Sequence, residues 1–314
     1  MKTEKTHLSS IRVGIDIGWT FTDFVILHPT TAAISTFKLP STPEDPSEAV
    51  ITGINRISKT LSKNDNLQKQ SDDQSLIAVI HGSTVATNAL LERKGATTAL
   101  ITTKGFKDVI QIGRQNRPDL YDFATNLPKP LVPSGLRFEL TERVDQNGIT
   151  IEKLNPDDVN KLVSNLQLIE PELQSIAVCF LFSFANPNHE QLVAEKLRNA
   201  GFFVSASHEI LPEYREYERT STTVVNAYVS PVLDRYLKKL ETSVKYQITN
   251  NAPATISNIQ IMQSNGGSIS VTEARKAGVR CILSGPAGGV VGCQYIGSRA
   301  LNNADNSGLR LLTF

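Results

Sequence analysis

Short, almost wholly apolar runs alternate along this chain with longer stretches whose apolar residues recur every three or four positions. "SLIAVIHGS", "ATTALIT", "SIAVCFLFS" and "FFVSAS" are too short for helices. They also lack the in–out alternation of half-solvated strands, so they read as strands buried on both faces. Amphipathic helices lie between them. "DPSEAVITGINRISKTL" offers Asp45 as N-cap, Pro46 at the first helical position, and Val50, Ile54, Ile57 and Leu61 along one face. "TVATNALLERKG" follows Gly82 at once and is expected to close at Gly95, while "NPDDVNKLVSNLQ" and "NPNHEQLVAEKLRNAG" alternate with strands further on. Strands regularly followed by helices specify an α/β fold, with helices covering the faces of a largely buried sheet.

The chain opens differently. "GIDIGWTFTDFVI" is a strand, a bend at Gly18, and a second strand, followed by a third in "AAISTFKLP". A hairpin bend needs only Gly, Asn or Asp. Here Asp16, Thr20, Thr22 and Asp23 crowd around it, which is more polar chemistry than a turn requires. Amides at a tight turn can cradle phosphate oxygens, and a carboxylate such as Asp16 can hold hydrated Mg2+. A plain polar turn explains the same residues, and these thirteen positions alone do not decide between the two.

Four further stretches carry candidate chemistry. In "HGSTVATNALLERKG" a strand runs into Gly82, and hydroxyl residues open a helix; His81, Thr84 and Asn88 are then candidates for binding an anion, with simple capping the competing explanation. No second histidine stands near His81, which argues against a metal there. "GRQNRPDLYD" groups Arg114, Asn116 and Arg117, suited to gripping a carboxylate or phosphate, or equally to a salt-bridged loop. In "PEYREYERTSTT", Glu213, Arg215, Glu216 and Arg219 fall at helical spacings and read as a charged surface. "SNGG", with Asn265, and "LSGPAGGVVG", with Gly285, Gly288 and Gly289, each follow an apolar run; their glycines permit close approach of a ligand or of a neighbouring element.

The rest is mostly exclusion. A net charge of +1 gives no field suited to nucleic acid or an anionic membrane. Three widely spaced cysteines without a CxxC pair fit free thiols in a reducing compartment. "MKTEKTHLSSIRV" has no apolar core for a signal peptide and "IAVCFLF" is too short to span a bilayer, so a cytoplasmic location is expected. In the second half, "PEYREYERTSTTVVNAYV" and "SPVLDRYLKKLETSV" are helical, with a restart expected at Ser230-Pro231 and with Leu233, Leu237, Leu240 and Val244 facing the core. "LTERVDQNGIT" reads as a hairpin about Asn147-Gly148, and "SKNDNLQKQSDDQS" as a solvated loop. A second sheet is expected to begin at "TISNIQIMQSNGG" and to continue into "GLRLLTF", which places a domain boundary near residue 206, between segments 10–205 and 206–314.

"GIDIGWTFTDFVI", "HGSTVATNALLERKGATTALITTKGFKDVIQIGRQNRPDLYD", "REYERTSTTVVNAYVSPVLDRYL", "IMQSNGG" and "LSGPAGGVVG" occur in one order across most of residues 11–297. Taken together, the chain resembles the hydantoinase/5-oxoprolinase family, specifically its N-methylhydantoinase A-type, ATP-hydrolysing subunits, which are related to acetone and acetophenone carboxylase subunits. The resemblance implies an actin/sugar-kinase-like (ribonuclease H-like) domain followed by an incomplete second α/β domain. It implies ATP and Mg2+ as cofactors, with Asp16 toward the metal and Gly18, Thr20 and Thr22 toward the phosphates. Asp23, Gly285, Gly288 and Gly289 join the nucleotide site, and His81, Thr84, Asn88, Arg114, Asn116, Arg117 and Asn265 are carried as substrate-side candidates.

The implied reaction is ATP-dependent ring opening of a cyclic amide such as a hydantoin or 5-oxoproline, with a B-type subunit and a C-terminal half as partners. The alternatives are a ketone carboxylase subunit and a non-catalytic remnant or interaction protein. Two departures stand out. Trp19 occupies a position where the family has a second glycine, so weakened nucleotide binding is expected. The chain also stops at "LRLLTF", ahead of the family's second phosphate hairpin, so residues 1–314 alone are not expected to turn over ATP at a normal rate.

Overall fold

The computed structural model describes residues 11–28, 31–42, 44–63, 75–116, 121, 128–169, 172–249 and 254–300. Three strands open it: β1 (Ile11–Ile17), β2 (Phe21–Leu27) and β3 (Ile34–Pro40). Helix α1 (Pro46–Lys63) starts where the sequence places it, with Asp45 Oδ1 accepting from the Ser47 amide at 3.2 Å and from its hydroxyl at 2.6 Å. Then come β4 (Ser75–Gly82), α2 (Val85–Leu91), β5 (Thr98–Thr103), the short α3 (Val109–Ile112), β6 (Arg137–Leu140) and the small hairpin β7 (Arg143–Val144) and β8 (Thr150–Glu152). They are followed by α4 (Pro156–Leu166), capped by Asn155, then β9 (Ser175–Cys179), α5 (Asn188–Asn199), β10 (Phe203–Ala206) and α6 (Ser207–Ile210). The long α7 (Glu216–Thr249), β11 (Ala254–Met262), β12 (Ser268–Ser270), α8 (Val271–Lys276) and α9 (Ser284–Ala300) complete the described chain. Among the described residues no helix is long and apolar enough to cross a membrane.

Two compact units interleave along the sequence. One holds the chain up to Thr87, Leu233–Arg275 and the chain from Arg280; the other holds Asn88–Val232 and Lys276–Val279. Residue 206 falls inside the second unit, so compactness does not follow a single cut at that point. In the first unit six strands run in the order β12-β11-β4-β1-β2-β3, with β1 parallel to β4, β4 parallel to β11, and antiparallel pairs elsewhere. The alternation in β1 turns Ile11, Val13, Ile15 and Ile17 inward and Arg12, Gly14 and Asp16 outward. Val50, Ile54 and Ile57 of α1 and Leu233, Leu237 and Leu240 of α7 are also buried in this unit, each such side chain contributing about 1.5–3 kcal/mol. The side chain of Val244 lies outside the described set.

The second unit is built on an all-parallel sheet, β10-β9-β5-β6, whose core includes Ile101, Ile176, Val178, Phe180, Val193 and Leu197. At the end of β9 a buried polar cluster ties the sheet to α7. The Arg219 guanidinium donates through Nη1 to Phe180 O (2.8 Å), Ser183 Oγ (2.5 Å) and Ser207 Oγ (2.9 Å). Glu190, also buried, accepts from the Phe180 amide, Ser207 Oγ and the His208 ring. Strand β9 ends at Cys179, short of the run the sequence offers, and Phe182 beyond it takes a left-handed conformation at φ 54°.

Four expectations are corrected. Arg219 is not part of a charged surface: it is 1 % exposed, with Nη1 engaged as above and Nε buried without a partner among the described residues. There is no helix restart at Ser230-Pro231, because α7 runs through Pro231 unbroken. Ala227, Val229, Ser230 and Leu233 are all buried there, and packing on every side outweighs the local cost of the proline. Gly95 does not close α2, which ends at Leu91 with the left-handed turn at Arg93. Gly95 is instead required by the Tyr228 ring, which a Cβ there would approach to 2.2 Å. Nor does "TISNIQIM" begin a second sheet: β11 pairs with β4 and extends the first one. "GLRLLTF" and most of the polar stretch after Lys63 lie outside the described residues.

Candidate functional site

The bend between β1 and β2 is held from behind. The Gly18 amide donates to Phe21 O (2.9 Å), the Ser41 amide donates to Thr20 O (2.9 Å), and Ser41 Oγ donates to Gly18 O (2.8 Å). Thr22 is fully buried with its hydroxyl 3.0 Å from Ser41 Oγ, so it braces the turn and presents nothing to solvent. On the open side stand Gly18 and Thr20. Among the described residues the amides of Trp19 and Thr20 have no acceptor, which leaves donors of the kind a phosphate oxygen uses. The Trp19 indole is 69 % exposed, so it stands out in solvent and does not fill the corner beside Asp16.

Asp16 lies directly across from Asp23 on the outward face of the sheet, with Gly82 on its other flank. Two carboxylates facing each other across a strand pair repel. Lys38 reaches Asp23 at 3.5 Å, but no ion pair serves Asp16 among the described residues. Its carboxyl is held above the usual range, first by burial and then by the charge of Asp23. Gly82 keeps the space beside it clear, since a Cβ there would stand 3.1 Å from Asp16 Oδ1, while Gly285 lies on another side, where a Cβ would make an ordinary contact at 3.7 Å. This donor set suits Mg2+, a hard cation that takes one or two carboxylates and fills its remaining positions with water or phosphate oxygen. It does not suit a metal needing an all-protein cage, since the described residues contain no cluster of three potential ligands.

Gly285 is brought to Asp16 by the way α9 begins. Leu283 takes a left-handed conformation (φ 59°), its amide donates to Thr87 Oγ1 at 3.0 Å, and the buried Ser284 lies with Oγ 3.5 Å from Ser83 O. The other glycines of that stretch divide. Gly288 lies close against Met262, whose flexible tip (Cε, 2.6 Å from an added Cβ) would have to move aside for a side chain there, whereas Gly289 faces open space. Asn265 shapes its own turn by accepting from the Gly267 amide at 2.9 Å.

His81 is an internal residue. It is fully buried on the opposite face of the sheet from Asp16, with Nε2 2.6 Å from the Tyr236 hydroxyl and Nδ1 3.4 Å from Ile15 O. Burial pushes its pKa down to about 4, so the ring is neutral at pH 7, donating through Nδ1 and accepting from Tyr236. Thr84 braces the end of β1 by donating to Ile17 O at 3.3 Å. Asn88 is half-buried in α2 and belongs to the second unit.

Within that second unit, Arg114 and Asn116 line a cavity of about 1100 Å3 formed by α3 and the loop after it, the Pro128–Leu131 segment, and the first turns of α7. Arg114 Nε donates to Glu218 Oε1 at 2.9 Å. Arg117 lies outside the described residues. Asp16, Gly18, Thr20, Asp23 and Gly285 are thus gathered in one unit and Arg114 and Asn116 in the other, while Thr22 and His81 are internal and Thr84 is half-buried. Gly82, Ser41 and Glu218 were not singled out by the sequence. Gly82 had a signal, a glycine ending a buried strand; Ser41 and Glu218 had none.

Comparison with known proteins gives two family matches: residues 12–201 match the hydantoinase/oxoprolinase N-terminal region, and residues 219–305 match hydantoinase/oxoprolinase. The chain is 35% identical over 325 aligned positions to a 5-oxoprolinase of Dictyostelium discoideum, covering 95% of this chain and 25% of that one. The crystal structure of an ATP-dependent caprolactamase from Pseudomonas jessenii superposes with a TM-score of 0.74 at 34% identity, covering 91% of this chain and 41% of that one. The nucleotide-free structure of acetone carboxylase, from work on ATP-dependent acetone carboxylation, gives a TM-score of 0.74 at 26% identity over 93% and 41%. This chain therefore spans well under half the length of these relatives. Its fold is of the α/β type shared by actin, hexokinase and Hsp70.

Proposed function

Because the chain belongs to the hydantoinase/oxoprolinase family, we propose that it is the nucleotide-gripping part of an enzyme that uses ATP to open a cyclic amide. The observation that carries this is the glycine-cleared corner around Asp16, with Asp23 opposite it and unspent amides at Trp19 and Thr20. Asp16 would hold Mg2+, whose charge offsets that of the phosphates when bound. The amides of the bend and the Thr20 hydroxyl would orient them. The corner supplies position and charge complementarity, which is most of what a protein contributes to phosphoryl transfer.

An amide nitrogen leaves poorly. Placing a phosphoryl group on the carbonyl oxygen gives the carbon enough electrophilic character for water to attack, which is the chemical sense of coupling ATP to ring opening. A B-type subunit and the remaining length of an A-type chain would complete the enzyme in the cytoplasm, and the two family matches, which fall either side of residue 206, would mark its domains.

Identity to the caprolactamase (34%) exceeds that to the acetone carboxylase (26%), which favours an amide over a ketone as the acceptor. The outward-standing Trp19 leaves the corner open, which favours a working site over a remnant. Calorimetric titration with Mg-ADP tests the proposal. Binding that requires Mg2+ and is lost in Asp16→Asn is expected; binding unchanged by that substitution would sink it.

A further inference from the structure

At the wall of the second unit's cavity Arg114 and Glu218 form an ion pair through one contact. Arg114 meets Glu218 side-on through a single contact, Nε to Oε1 at 2.9 Å, and not through the two-pronged fork that an arginine and a carboxylate can make. Among the described residues the two Nη groups of Arg114 have no other partner, and the Glu218 carboxylate, which also accepts from its own backbone amide and feels the charge of Arg215, makes no second ion pair. Their side chains are 61% and 30% exposed, and both residues line the cavity. A strong donor and a strong acceptor therefore stand side by side at its wall. Ile112, Pro130, Leu131 and Val225 also line the cavity and offer apolar surface.

We propose that the Arg114–Glu218 pair selects a cyclic secondary amide, Arg114 donating to its carbonyl oxygen while Glu218 accepts from its N–H. This deepens the function proposed above and rests on it. The chemistry is geometric. A small ring forces its amide to be cis, so C=O and N–H point to the same side and can meet a donor and an acceptor that are neighbours. An open-chain secondary amide is trans, with the two groups pointing apart, and can satisfy only one of them. A ketone has no N–H at all, and an N-alkylated lactam has lost it. In either case the Glu218 oxygen loses its solvent without gaining a donor, which is how a hydrogen-bonding site rejects a close analogue. The apolar wall takes the methylene part of the ring.

The test uses the purified chain and four probes of similar size: δ-valerolactam, its N-methyl derivative, N-methylacetamide and cyclohexanone, each titrated by ligand-observed NMR. The lactam is expected to bind about tenfold or more tightly than the other three, and to shift the Arg114 Nε–H signal, which cyclohexanone leaves in place. The preference is expected to collapse in Arg114→Met and in Glu218→Ala. The Arg114 signal in the unmodified protein decides the matter should either variant fail to fold. Equal binding of all four probes, no binding of the lactam, or a lactam preference that survives both substitutions would each overturn the inference. Mg-ADP titration reads the hairpin of the other unit. Normal nucleotide binding without lactam selectivity refutes the role of this pair alone, whereas loss of both refutes the function it rests on.

Discussion

His81 makes the stability of the first unit depend on pH in a way that can be calculated. Its ring is fully buried between Tyr236 and Ile15 O, and its pKa falls from 6.5 to about 4, chiefly through desolvation. Between those values the unfolded chain carries a proton on this imidazole and the folded chain does not, so stability rises with pH across that window. The slope is about 1.4 kcal/mol per pH unit, which accumulates to about 3 kcal/mol between pH 6.5 and pH 4. Above pH 6.5 the contribution is complete. Other groups titrate in the same range, so the measurement is a difference. His81→Gln keeps an acceptor for Tyr236 but cannot titrate. Urea unfolding followed by circular dichroism at pH 7.5, 6.5, 5.5 and 4.5 should show the wild type losing stability faster than the variant below pH 6.5, by close to the calculated slope. Parallel loss in the two proteins would mean that His81 is not held neutral in the folded state.

Arg219→Met should cost about 3 kcal/mol or more, because it leaves Phe180 O and two serine hydroxyls in the core without their donor; a urea midpoint within error of wild type would contradict this. Asp23→Asn removes the charge facing Asp16 and should lower the Asp16 pKa, as read by carboxylate carbon NMR; no movement would mean that burial alone raises it. Gly82→Ala should fold normally yet bind Mg-ADP about tenfold more weakly, since its Cβ would press on Asp16 Oδ1 from 3.1 Å. Unchanged affinity would show that the clearing around Asp16 is incidental.

Much of the local structure is written in short stretches. Asp45-Pro46 and Asn155-Pro156 mark two helix starts, Asn147-Gly148 marks a hairpin, and the alternation from Arg12 to Ile17 marks which face of β1 is outward. Each depends on neighbours within a few positions, where propensity and pattern suffice. What the sequence hides depends on partners far along the chain. The pairing of β11 with β4 joins segments almost two hundred positions apart, and nothing in "TISNIQIM" names its neighbour. Pro231 looks like a break until burial on all sides is known, and Arg219 looks like a surface charge until the end of β9 is seen wrapped around it.

The site divides the same way. The bend, with Asp16 and Gly18, is legible as chemistry because too many polar residues surround one turn. The inward roles of Thr22 and His81 are not, since a threonine or a histidine carries no mark of which face it takes without the register of the whole sheet. The pairing of Arg114 with Glu218 spans 104 positions, and only the folded second unit brings the two together.

The most direct measurement is a backbone amide NMR titration of the chain with Mg-ADP at concentrations high enough to detect weak binding. Saturable shifts concentrated at Gly18, Trp19, Thr20 and Gly285, dependent on Mg2+ and absent in Asp16→Asn, are expected. Shifts that fall elsewhere, or that persist without the metal or without the Asp16 carboxylate, would contradict the assignment of this bend to the phosphates of a nucleotide.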